Sequence, residues 1–134
     1  MTARQGLGGI RTVAAIASLF GVVTIWEGGS VLFVDGTARA AAGAYVPFVV
    51  AFNFAAGFAY VVAGFGLWRG RRWAALLAAG LAGSTTIVFL ALGLHVWAGG
   101  AWEMRTVGAL TIRAAFWTVA ATLACRHERR SGPR

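Results

Sequence analysis

Four long apolar runs, parted by short segments that carry Arg, constrain this chain more than any other feature. They cover about residues 10–26, 45–68, 73–97 and 102–125. An α-helix needs roughly 20 apolar residues to cross the hydrocarbon core of a bilayer. A 134-residue chain that is 59% hydrophobic and only 12% charged has too little polar surface to enclose such runs in water. The expected fold is all-α: a single domain over residues 1–134, an integral membrane bundle of four antiparallel transmembrane helices.

The aromatic residues fall where these spans should end. Trp26, Tyr45, Trp68, Trp73, Trp97 and Trp102 all stand at predicted boundaries, and only Trp117 lies inside a span. An indole or phenol ring is apolar while its N–H or O–H seeks water, so both favour the membrane interface.

Arg sets the orientation. Arg4 and Arg11 belong to the N-terminal tail, Arg69, Arg71 and Arg72 to the second link, and Arg126, Arg129, Arg130 and Arg134 to the C-terminal tail. The other side holds Arg39 and Arg105 against Glu27, Asp35 and Glu103. Nine Arg against two predict that both termini are cytoplasmic. The +8 net charge is therefore a boundary charge. With no basic face interleaved with aromatics, it does not point to nucleic acid. Twelve Arg without a Lys, together with 19 Gly, point to a GC-rich bacterial genome, hence to a bacterial cytoplasmic membrane.

Ala38-Arg39-Ala40 has the small-x-small pattern of a signal cleavage site but stands too far beyond the first run, which is expected to be a retained helix. The single Cys125 rules out an internal disulfide and a cysteine metal site, and reads as apolar filler. Arg69 to Arg72 reads as a tight turn between neighbouring helices. The first outer link, Glu27 to Gly43, reads as a linker, with a lid or partner surface as alternatives. Rows at Ala55, Ala59, Ala63 and at Ala75, Ala79, Gly83 are small enough for close helix packing. Trp-x-Gly-Gly at Trp26–Gly29 and Trp97–Gly100 reads as two similar helix ends, with a duplication as one possible source.

Polar groups inside a bilayer are costly and draw attention to function. Asn53, Tyr60, Ser84, Thr85, Thr86, His95 and Arg113 fall inside spans; Glu27, Glu103 and Arg105 fall at outer edges. Helical periodicity places Asn53, Gly57, Tyr60 and Gly64 on one face, Ser84, Val88, Ala91 and His95 on another, and Thr106, Ala109, Arg113 and Trp117 on a third. The expected site is an outer-half polar cluster of Arg113, His95, Asn53, Glu27, Glu103, Tyr60 and Arg105. Arg113 is its centre, because an unpaired buried guanidinium is very unfavourable. Glu27, Glu103 through a water or ligand, or an anionic ligand would serve as its partner. The structural alternatives stay open: Arg113 snorkelling or paired, His95 hydrogen-bonded at the interface, Asn53 and Tyr60 bonding neighbouring helices, and Glu103 with Arg105 as a solvated pair. A metal ligand set with a recognisable spacing is absent, as are a cysteine pair and a phosphate loop, and no cofactor is indicated.

The stretch Asn53 to Ala79, NFAAGFAYVVAGFGLWRGRRWAALLAA, resembles the middle of the DoxX-like small membrane proteins, and Arg11 also resembles their pattern. That resemblance implies four helices and an accessory role in membrane redox metabolism, near quinones or a partner oxidoreductase. Many members have an acid where Asn53 stands here, so acid chemistry does not carry over.

The leading expectation is a non-enzymatic membrane accessory protein or subunit of a larger assembly. It would act through helix–helix contacts, with other subunits or as a homo-oligomer, and through an outward-facing polar pocket. The alternative is a DoxX-like protein binding a quinone-like amphiphile. A small homo-oligomeric transporter ranks lower, since the first span lacks the acid that small multidrug transporters carry.

Overall fold

The computed structural model describes residues 3–34 and 36–131, with side chains from 8 to 34 and from 36 to 130. Asp35, Arg134 and the side chain of Arg4, three of the charges weighed above, lie outside the described residues. Within them the chain is helical, with no strand: α1 (Ala3–Phe33), α2 (Thr37–Ala42), α3 (Pro47–Trp68), α4 (Arg72–Trp97) and α5 (Met104–Ser131). The four long helices each contain a span long and apolar enough to cross a membrane.

Local chemistry explains most of the boundaries. Pro47 opens α3, where its missing N–H costs nothing and its fixed φ suits a first turn. Gly70, at φ 62°, closes α3: its N–H donates to the Leu67 carbonyl and that of Arg71 to Gly66. Gly99, at φ 84°, closes α4 with the same pattern, donating to Val96 while Gly100 donates to His95. Both are Schellman caps, whose left-handed residue favours glycine.

The first span departs from expectation. The helix does not end at Trp26-Glu27-Gly28-Gly29 but runs on to Phe33. The glycine pair permits packing here: a Cβ at Gly28 would stand 3.0 Å from the Phe54 Cβ, and one at Gly29 3.3 Å from the Phe54 ring. The link beyond then folds into the short helix α2.

The closest pairings are α1 with α3 and α4 with α5; α3 against α4 joins the two pairs, while α1 and α5 meet only lightly. At the α1–α3 seam, a Cβ on Gly21 would come within 2.7 Å of the Gly57 carbonyl oxygen, and one on Gly64 within 2.9 Å of that of Ala14. The small-residue rows are therefore rotated from the expected ones. On α3 the buried face is Ala56, Gly57, Tyr60, Ala63, Gly64 and Leu67, while Ala55 is exposed. On α4, Ala75 is buried but Ala79 and Gly83 are exposed, and Ala74, Ala78, Leu81 and Thr85 face inward.

The core centres on Trp117, fully buried with Tyr60, Ala17, Ala78 and Ala120. Tyr60 lies between Trp117, at 4.8 Å between ring centroids, and Phe20, at 5.6 Å. The outer surfaces are as apolar as the inside: Leu76 is 77% exposed, Trp97 87%, with Ile87, Leu90 and Leu94 open along the same helix.

Candidate functional site

At the α2 end of the bundle the helices part around a cavity of about 550 Å³. Its walls come from α1, α2, α3 and α5 and none from α4. It lies along the α1–α5 seam, where the two backbones approach least closely. Five of the seven expected site residues line it: Glu27, Asn53, Glu103, Arg105 and Arg113. Helical period brings them there, as expected for Asn53 on α3 and for Thr106, Ala109 and Arg113 on α5.

Arg113 is only 6% exposed. Its Nη2 donates to Thr24 Oγ1 at 3.4 Å, a long bond, and its guanidinium stands 5.2 Å from the Phe20 ring centroid. Its Nε has no hydrogen-bond partner. Neither expected carboxylate pairs with it. Glu103 accepts instead from the Ala44 amide at 2.9 Å, at the far end of α2, and Glu27 is an exposed position on α1. Distance along the helix explains the first: Glu103 lies ten residues before Arg113, about 15 Å at 1.5 Å per residue.

Asn53 lines the cavity with a buried Oδ1 that has no partner. Arg105 lines the rim and donates from Nη2 to the Ala41 carbonyl at 2.6 Å. Glu103 and Arg105 are thus not a solvated pair: both hold the C-terminal end of α2. Arg39 holds its other side, donating to the Val31 and Leu32 carbonyls.

Two expected residues do not line the cavity. Tyr60 is fully buried in the core, with Thr85, Trp117 and Arg113 beside its hydroxyl. The Tyr60 hydroxyl, Thr85 Oγ1 and Trp117 Nε1 all lack a partner at hydrogen-bond geometry, which makes this a polar knot inside an apolar core. His95 packs against the Phe48 ring, and its Nε2 lies 3.0 Å from the Ala101 carbonyl, to which it donates in the tautomer protonated there. That contact steadies the link between α4 and α5. Among the described residues no three His, Cys, Asp or Glu side chains come together as a metal would require. Cys125 is exposed.

Sequence reasoning missed Thr24. Most hydroxyls on these helices bond the carbonyl four residues back, as Ser18, Ser30, Thr86, Thr111, Thr118 and Thr122 do. Thr24 faces Arg113 instead, and one signal was available: it stands three residues before Glu27, on the same helical face.

Comparison with known protein families, with curated proteins and with solved structures found no match.

Proposed function

We propose that this is a multi-pass protein of a bacterial cytoplasmic membrane that acts by binding a small ligand in an outward-facing cavity, as an accessory protein rather than as a catalyst. Antiparallel packing of the long helices is supported by the order of their contacts. Ala14 meets Gly64, Gly21 meets Gly57 and Gly28 meets Phe54, so numbers rise on α1 as they fall on α3. Insertion in a bilayer is supported by the apolar outer faces, where Leu76, Ile87, Leu90 and Leu94 would otherwise meet water. Cytoplasmic termini are supported by one small recess that Ile10, Leu67, Arg71, Ala124 and His127 share, since it brings three Arg-rich segments to one end.

The observation that carries the binding reading is Arg113 at the cavity wall without a carboxylate. From Met104 to Arg113 the helix rises about 14 Å, close to half of a roughly 30 Å hydrocarbon core. A guanidinium at that depth needs a partner, and the described side chains beside it are neutral: Thr24, the Phe20 ring and the Tyr60 hydroxyl. The cavity has the size of a small-molecule site, about 300–1,000 Å³. The DoxX-like resemblance of Asn53 to Ala79 supports a quinone-like amphiphile as one candidate occupant.

The test is native mass spectrometry on protein extracted gently from its own membranes. A bound small molecule is expected on the wild-type chain and is expected to be lost from Arg113→Gln while the melting temperature stays within a few degrees. A wild-type chain that carries nothing, or an Arg113→Gln chain that keeps its ligand, rejects the reading. A second reading, a subunit of a larger assembly, is favoured by the light α1–α5 seam, where a helix of another chain finds room. A stable complex of larger mass, with the cavity empty of small molecules, would establish it instead.

A further inference from the structure

We infer that the cavity takes a lipophilic anion: an amphiphile whose oxyacid head, carboxylate or phosphate, lies against Arg113 and whose apolar part enters from the bilayer between α1 and α5. This rests on the binding reading above and gives its ligand a chemical class.

Charge comes first. Arginine does not lose its proton in proteins, so an occupant of the cavity meets a permanent cation in low-dielectric surroundings. Nη2 reaches Thr24 only at 3.4 Å, so the planar fork is not saturated and suits the paired oxygens of an oxyacid. Asn53 lines the same cavity, and an amide N–H is a further donor suited to an oxyanion. Neither of the cavity's acids pairs with Arg113. Glu103 is engaged by the Ala44 amide, and Glu27 makes no ion pair with Arg113. Arg105 is likewise engaged, on the Ala41 carbonyl. The cavity wall carries two guanidiniums and two carboxylates; Glu27 and Arg105 are exposed, where water and salt screen them, whereas Arg113 is only 6% exposed, so its charge is the least screened of the four.

The route follows from the walls. The remaining lining includes Val31, Val49, Val50 and Ala109, which suit a hydrocarbon chain. α2, held by Glu103, Arg105 and Arg39, contributes Ala38, Ala41 and Ala42 and stands across the end of the bundle. The loosely closed side lies between α1 and α5, where Trp26 lines the cavity and is 78% exposed. A ligand entering there comes from the hydrocarbon layer.

The test uses the full chain in phosphatidylcholine nanodiscs with radiolabelled laurate as probe. Competitors are lauryl phosphate, methyl laurate and inorganic phosphate. Saturable binding is expected, displaced by lauryl phosphate but not by methyl laurate or inorganic phosphate. Arg113→Gln should weaken laurate binding by about tenfold or more, Arg113→Lys by less, and Glu27→Gln, which removes a negative charge from the cavity wall, should tighten it. Methyl laurate competing as well as laurate overturns the anion assignment while leaving a cavity that binds neutral ligands. Displacement by inorganic phosphate makes this a site for soluble anions and overturns the lipid route. Absence of saturable binding by any probe rejects the inference for these heads, and the native mass measurement then decides separately whether the cavity binds anything. The competition series is read on the wild-type chain, so it decides even where a variant fails to fold.

Discussion

α1 meets its two neighbours across the bundle in opposite ways. Against α3 it lies almost backbone to backbone, with Gly21 on Gly57 and Ala14 on Gly64. Against α5 the backbones stand further apart and meet through longer side chains such as Phe20 on Phe116, and towards the α2 end the gap holds a cavity and a buried cation. The difference lies in the side chains. Where both helices offer hydrogen or methyl, dispersion contacts zip the seam shut. Where one offers Arg113 and the other Thr24 and Glu27, the helices stand off by the reach of a long side chain. One seam builds the molecule and the other is available for work.

Substitutions can break that contrast from either side. The largest effect is expected at the tight seam. Gly57→Leu would put a Cβ 3.1 Å from the Gly21 oxygen and the Ile25 nitrogen, and overpacking of this kind costs about 3 kcal/mol. Thermal unfolding in mild detergent should show the loss; a chain as stable as wild type would mean that α1 and α3 do not pack this closely. At the open seam Arg113→Met is expected to move stability the other way. Exchanging a poorly paired buried charge for an apolar side chain of similar length should stabilise by about 1–3 kcal/mol while ligand retention is lost. A destabilised variant would make the guanidinium a structural strut.

A smaller effect is expected at the rim. Glu103→Ala removes the acceptor of the Ala44 amide, worth about 1 kcal/mol, and hydrogen exchange at Ala44 should speed up about fivefold while the α3 core stays protected. Unchanged exchange would show that α2 does not depend on this tether. The smallest effect is expected at Thr24→Val, about 0.5 kcal/mol or less in the same unfolding assay, because its bond to Arg113 is long. A loss of several kcal/mol there would mean that Thr24 is the main support of the cation.

Legibility followed the same division. Four apolar runs and the inward face of Thr106, Ala109, Arg113 and Trp117 could be read because helical period and transfer cost act residue by residue. Gly28-Gly29 could not be read correctly, because glycine marks a helix end and a close approach with the same letter. The small-residue rows were misplaced by one position, since alanine is abundant on every face and only the partner helix decides which face closes. α2 hid in a run of alanines with no amphipathic period. No carboxylate pairs directly with Arg113: Glu103 stands too far along the helix, and the side chain that meets the guanidinium is a threonine, a residue that usually satisfies itself on its own helix.

The contact between Arg113 and Thr24 also has a consequence for assembly during synthesis. Thr24 and Phe20 lie on the first long helix to be made and Arg113 on the fourth, 89 residues later than Thr24. Both α1 groups that flank the guanidinium in the finished bundle are therefore in the chain before α5 is made. If the long helices insert in a bilayer as proposed, a lone α5 would carry that charge there unaided, whereas an α5 arriving beside α1 meets a hydroxyl and an aromatic face. In that case the open seam is also a landing place, and the helix that carries the buried charge is the last to be made.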